Sequence, residues 1–155
     1  MKQLVVLSGK GGTGKTTLTA SFAALSDSCV LVDADVDAAD LHLVVAHERK
    51  ESGAFISGQE ATIDEARCLS CGQCRLACRF EAITEVFQVD PFSCEGCGVC
   101  ARFCPAAAIT MHERDCGQWF RSESGHGPFL HAQLHIAADN SGKLVSLLRE
   151  KAREA

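Results

Sequence analysis

Apolar residues reach this chain in short, well-separated bursts. Leu4, Val5, Val6 and Leu7 form an unbroken run of four near the N-terminus, the length and character of a buried strand. After a glycine-rich stretch, residues 18–25 have a helix-compatible composition. Val30, Leu31 and Val32 then give a second short buried-strand pattern that ends in acidic residues. Far along the chain, residues 129–136 predict another strand. Phe129, His131, Gln133 and His135 fall on one of its faces, and Leu130, Ala132, Leu134 and Ile136 on the other, because successive strand side chains alternate. The histidine-bearing face is expected to be partly solvated rather than a metal site.

Between these bursts lie the residues that carry chemistry. Eight of the ten cysteines fall in two runs of identical spacing, Cys68-x2-Cys71-x2-Cys74-x3-Cys78 and Cys94-x2-Cys97-x2-Cys100-x3-Cys104. The offset is 26 at every position, and Ala82-Ile83 recurs with it as Ala108-Ile109, so this is an internal repeat. A four-iron cubane needs four thiolates; three cysteines at i, i+3 and i+6 on a tight turn wrap one face and the fourth must come from elsewhere. Gly72, Gly96 and Gly98 suit close approach of the backbone to inorganic sulfide. The competing reading is structural zinc, which usually takes separated C-x2-C pairs and not four cysteines in a run.

Residues 64–111 resemble a bacterial-type two-cluster ferredoxin. That resemblance implies an exchange in which the last cysteine of each run serves the other run's cluster. One cluster is then held by Cys68, Cys71, Cys74 and Cys104, and the second by Cys94, Cys97, Cys100 and Cys78. The first run continues into Arg79 where the pattern often has proline, as Pro105 follows the second; no ligand is lost. Complete sets of four favour permanent clusters over cargo in transit.

The N-terminal apolar run leads into Gly9-Lys10-Gly11-Gly12-Thr13-Gly14-Lys15-Thr16-Thr17, a G-x4-G-K-T loop between a predicted strand and a predicted helix. In a P-loop, backbone N–H groups curl around phosphate oxygens, Lys15 reaches the β/γ-phosphates and the Thr16 hydroxyl ligates Mg²⁺. The alternative is a merely glycine-rich turn. With Lys10 after the first glycine, the loop resembles that of the MinD/ParA-like ATPases, which work as nucleotide-sandwich dimers. The resemblance implies that Lys10 acts on the nucleotide of the facing subunit, much as an arginine finger does. It also places Asp33 near the magnesium and has Asp35 orient the attacking water, so that Lys10, Lys15 and Asp35 are the candidate catalytic residues. Asp37 and Asp40 are read as carboxylates favoured at a helix N-terminus.

Taken in order, the two motifs resemble MinD-like ATPases with an inserted ferredoxin domain. Residues 118–120, 127–136 and 140–144 then look like the return into the ATPase sheet and its next helix. The implied class is α/β: a P-loop parallel sheet, incomplete because its C-terminal half is absent, with an inserted α+β ferredoxin-like domain. The expected divisions are 1–63, 64–111 and 112–155. Such a sheet needs roughly five or more parallel strands, and the chain outside the insert supplies three or four. A homodimer, or a chain supplying the missing half, is therefore expected, and the 155 residues alone should hydrolyse ATP barely or not at all.

Composition narrows the partners. At 46% hydrophobic and 23% charged the chain is globular in class, and it has no apolar stretch near the ~18 residues of a membrane span. A formal charge of −5 disfavours nucleic acid and favours basic redox partners. Cluster spacings point to a reducing cytoplasm, that of an anaerobe. Cys29 is read as a buried strand residue and Cys116 as a spare thiol; His42, His47, His112 and His126 have no ligand-like spacing. Three functions follow: an ATPase coupled to a redox module in electron transfer or iron–sulfur assembly or delivery, an electron carrier with a vestigial nucleotide half, and a regulatory or positioning scaffold without redox chemistry.

Overall fold

The computed structural model describes residues 2–136, 138 and 140–155. Its elements are α1 (Lys15–Ala24), β1 (Leu31–Asp33), α2 (Leu41–Val44), β2 (His47–Ile63), α3 (Gln73–Ala77), α4 (Val99–Arg102), β3 (Ile109–Ser124), β4 (Gly127–Leu134) and α5 (Ser141–Glu154). They divide into two compact units. Residues Met1–Phe55 and Gly117–Ala155 form the first, and Ile56–Cys116 the second.

The sheet is mixed, in the order β1-β4-β3-β2. β1 runs parallel to β4, Leu31 facing Phe129 and Asp33 facing His131. β3 and β4 are antiparallel, with Gly117 opposite Leu134 and Ser124 opposite Gly127. A two-residue turn fixes that register: the Ser124 hydroxyl donates to the Gly127 carbonyl (2.7 Å) and accepts from the His126 N–H (3.2 Å). A wholly parallel sheet is thus not what the chain forms. The segment His47–Ile63, too polar to announce a strand, is extended because β3 offers it a ladder.

In the first unit β4 is an interior strand with neighbours on both edges. Phe129, Leu130 and Ala132 are fully buried and His131 nearly so, while Gln133 and His135 are exposed, so the histidine-bearing face is buried at its start and solvated at its end, partly solvated as expected. Ala23, Leu31, Leu41, Val45 and Phe129 form one core cluster. The amphipathic α5 packs on β4 and β1 and buries Leu144 and Leu148. Each such large apolar side chain taken from water contributes roughly 2 kcal/mol. Trp119 lies against Gly53, where an added Cβ would meet the indole Nε1 at 2.7 Å, and Lys151 Nζ sits 3.5 Å from its ring centroid.

The apolar run at 4–7 is not a strand. Leu4, Val5 and Leu7 are 70%, 59% and 84% exposed, and among the described residues no strand pairs with residues 2–8. β1 is an edge strand with β4 as its ladder neighbour, and residues 4–7 do not pair with its outer edge; without that ladder an apolar run is not a strand whatever its hydrophobicity.

In the second unit the repeat seen in the sequence is a repeat of backbone conformation. Left-handed residues recur 26 apart: Ser70 and Gly96 (φ 51° and 64°), Gly72 and Gly98 (75° and 72°), Glu81 and Ala107 (54° and 46°). Gly72 and Gly98 head α3 and α4, which pack on each other. Ala82 and Ala108 are equally buried, as are Ile83 and Ile109. The core of this unit, Ala61, Cys74, Ile83, Cys100 and Ile109, is built largely around cysteines.

Candidate metal centres and phosphate loop

Each left-handed residue between successive cysteines turns the chain back, so that thiols three apart in sequence converge. The result is two cavities. One, of about 20 Å³, is lined by Cys68, Cys71, Cys74 and Cys104. The other, also of about 20 Å³, is lined by Cys78, Cys94, Cys97 and Cys100. The fourth cysteine at each cavity is therefore the last of the other run.

All ten cysteines are free thiols. Burial pushes the Cys74 thiol up, and negative charge on Cys68 and Cys104 would push it further. Cys100 is likewise raised, first by burial and then by Cys94, Cys97 and Cys78. Groups of thiols that oppose one another's ionisation are suited to a cationic centre, which relieves that repulsion. The Ala108 N–H donates to Cys104 Sγ at 3.3 Å, a hydrogen bond of the kind that tunes a cluster. Among the described residues, no three His, Cys, Asp or Glu side chains converge on a point that would hold one metal ion. The four thiols at each cavity stand around a space, the arrangement that a cluster's ligands take.

The glycine-rich loop lies in the first unit. Gly12 (φ 73°) and Gly14 (φ 87°) adopt the left-handed conformation that a side chain resists, and Gly14 caps α1, which begins at Lys15. Ser8 Oγ and Thr13 Oγ1 both donate to the Lys10 carbonyl, at 3.0 and 3.2 Å, and so curl the loop. Residues 9–13 are exposed, Gly9 and Gly11 among them, and Thr16 and Thr17 lie in the first turn of the helix. Lys15 Nζ is 3.8 Å from Asp35 Oδ2. The Asp33 carboxylate accepts from the Asp35 N–H (3.1 Å) and the Leu41 N–H (3.0 Å); burial raises its pKa, and these bonds oppose the rise. Lys15, Asp33 and Asp35 are thus brought together, while Lys10 enters through its carbonyl.

Sequence reasoning passed over Arg114. Its guanidinium donates from Nη1 to the Cys94 carbonyl at 3.3 Å, a contact with no local signature because it joins residues twenty positions apart.

Residues 61–111 match the family model of the 4Fe-4S dicluster domain. They form a ferredoxin-type iron–sulfur domain, about a third of the chain. Across nearly its whole length the chain is similar to an uncharacterized protein of Methanocaldococcus jannaschii, 31% identical over 155 residues that make up 98% of this chain and 55% of that protein. It is also similar to the septum site-determining protein MinD of Synechocystis sp., 41% identical over 69 residues that cover 41% of this chain and 26% of the other. The chain thus spans about half the length of the first relative and about a quarter of the second. No solved structure matches it. Among the described residues no helix is long and apolar enough to cross a membrane.

Proposed function

We propose that the chain is the iron–sulfur-bearing part of a MinD-like ATP-binding protein, in which a nucleotide cycle is coupled to a two-cluster ferredoxin module for electron transfer or iron–sulfur assembly or delivery. The observation that carries this reading is the pair of four-cysteine cavities, in the same chain as a glycine loop whose Lys15 meets Asp35. Cys68, Cys71, Cys74 and Cys104 would hold one [4Fe-4S] cluster, and Cys94, Cys97, Cys100 and Cys78 the other. When bound, such a cluster takes up and returns one electron. The chain's part is to supply thiolates, to pack Ile83 and Ile109 where water would otherwise enter, and to set the local charge.

In the same proposal ATP lies on residues 9–17, with Lys15 opposite its phosphates and Thr16 on Mg²⁺. Asp33 serves the magnesium, Asp35 positions water, and Lys10 acts across a dimer. The module would dock a redox partner protein or an iron–sulfur acceptor. A reducing cytoplasm is the compartment in which free thiols of this density persist.

Anaerobic reconstitution with iron and sulfide tests the cluster half: about eight irons and eight acid-labile sulfides per chain are expected, and stoichiometric zinc without iron would refute it. ATP binding by the full-length protein tests the other half. A second reading, an electron carrier with a vestigial nucleotide half, draws on the exposure of Leu4, Val5 and Leu7 outside the sheet. It predicts clusters with no ATP binding.

A further inference from the structure

The two cysteine cavities repeat each other in backbone, but their charged surroundings differ. At the cavity of Cys78, Cys94, Cys97 and Cys100, the half-buried Arg114 on β3 donates to the carbonyl of Cys94, itself a lining residue. Glu95 also lines this cavity, but it is exposed, so water and salt screen its opposing charge more than that of Arg114. At the other cavity the corresponding contact to a lining carbonyl is made by Arg67, which precedes Cys68. It is exposed, and its Nη2 reaches the Ala106 carbonyl at 3.5 Å, at the limit of a hydrogen bond.

Adding an electron to a cluster adds a negative charge, and a fixed cation nearby stabilises that reduced form. Screening by water and salt weakens an exposed cation far more than a partly buried one. Arginine also keeps its charge at every accessible pH, so its influence is constant.

We infer that Arg114 sets an order of reduction: it holds the potential of the cluster bound by Cys78, Cys94, Cys97 and Cys100 above that of its partner, so that the first electron rests there. The inference rests on the two-cluster reading given above.

The test is an EPR-monitored redox titration of the reconstituted full chain, each signal assigned by the Cys71→Ser and Cys97→Ser variants. In the wild-type chain the cluster sensitive to Cys97→Ser should be reduced first. Arg114→Gln should lower its one-electron reduction equilibrium by about tenfold, taking a unit charge about 12 Å from the cluster centre in an effective dielectric of about 20, which is about 59 mV. The other cluster should hardly move. Arg114→Lys, which keeps the charge but loses the planar fork, should restore most of the shift, and Arg67→Gln should change little. The reverse order in the wild-type chain would overturn the inference, as would an Arg114→Lys shift equal to that of Arg114→Gln, which marks a purely structural role. Failure of the wild-type chain to assemble any cluster would instead refute the two-cluster reading itself.

Discussion

The imidazole of His42, on α2, stacks on that of His131, on β4, with ring centroids 5.3 Å apart and planes within 9° of parallel. The Nδ1 atoms of both rings are buried without a hydrogen-bond partner. His47 meets His131 edge-on at 5.8 Å, and Phe120 and Phe129 stack on it at 4.8 and 4.9 Å. Burial, then His42, His47 and Arg49, lowers the pKa of His131 to about 4. It is a neutral ring held in an apolar stack.

That ring makes the first unit acid-sensitive. Below the unfolded value of 6.5 the unfolded chain takes up a proton that the folded chain refuses until about pH 4. Stability is therefore lost as pH falls through that window, by up to roughly 3 kcal/mol. Urea titrations followed by the fluorescence of Trp119, the single tryptophan, should show the midpoint falling between pH 6.5 and 4. His131→Phe should flatten that dependence; an unchanged slope would show that another group carries it.

Exchanged ligation has a clean signature. Cys78→Ser should damage the cluster of the second cysteine run, and Cys104→Ser that of the first, because each lines the other run's cavity. Iron content with EPR of each variant distinguishes this from damage to its own run.

Gly96 is a position where a methyl group cannot be accommodated. Its φ is 64°, and an added Cβ would run into the Gln59 carbonyl. Gly96→Ala should destabilise the iron–sulfur unit by about 1–2 kcal/mol from the left-handed conformation alone, and more from the collision. Ser70→Ala, at the equivalent point of the repeat, should be nearly silent. Rates of iron loss to a chelator would compare the two.

Clusters should act as staples for the second unit, since about 60 residues bury too little apolar area to offset their chain entropy comfortably. Iron removal should strip amide protection from Ile56–Cys116 and leave the Phe129, Leu144 and Leu148 core of the first unit protected. Equal loss in both, read by hydrogen exchange, would contradict it.

In the full-length protein Lys15→Ala should abolish ATP binding, because it deletes the phosphate-facing charge. Lys10→Ala should spare binding and slow hydrolysis, as its charge is needed chiefly in the transition state. Equilibrium binding and turnover measured on both variants separate the two roles.

What the amino-acid sequence determined is the chemistry whose spacing is local. The 26-residue offset of the cysteine runs dictates a repeated turn, since Gly72, Gly96 and Gly98 permit left-handed backbone between successive cysteines. α1 after the glycine loop, and β1 and β4 from their apolar runs, were legible for the same reason: short-range periodicity carries them. The tertiary structure alone decided the rest. Whether residues 4–7 become a strand depends on a partner edge rather than on their hydrophobicity, and where along β4 its face is solvated depends on what packs against it. The long strands β2 and β3, with few apolar residues to mark them, exist because each completes the other's ladder. Arg114 reaches Cys94 for the same reason: a contact between distant residues is set by the fold that joins them, and no local pattern encodes it.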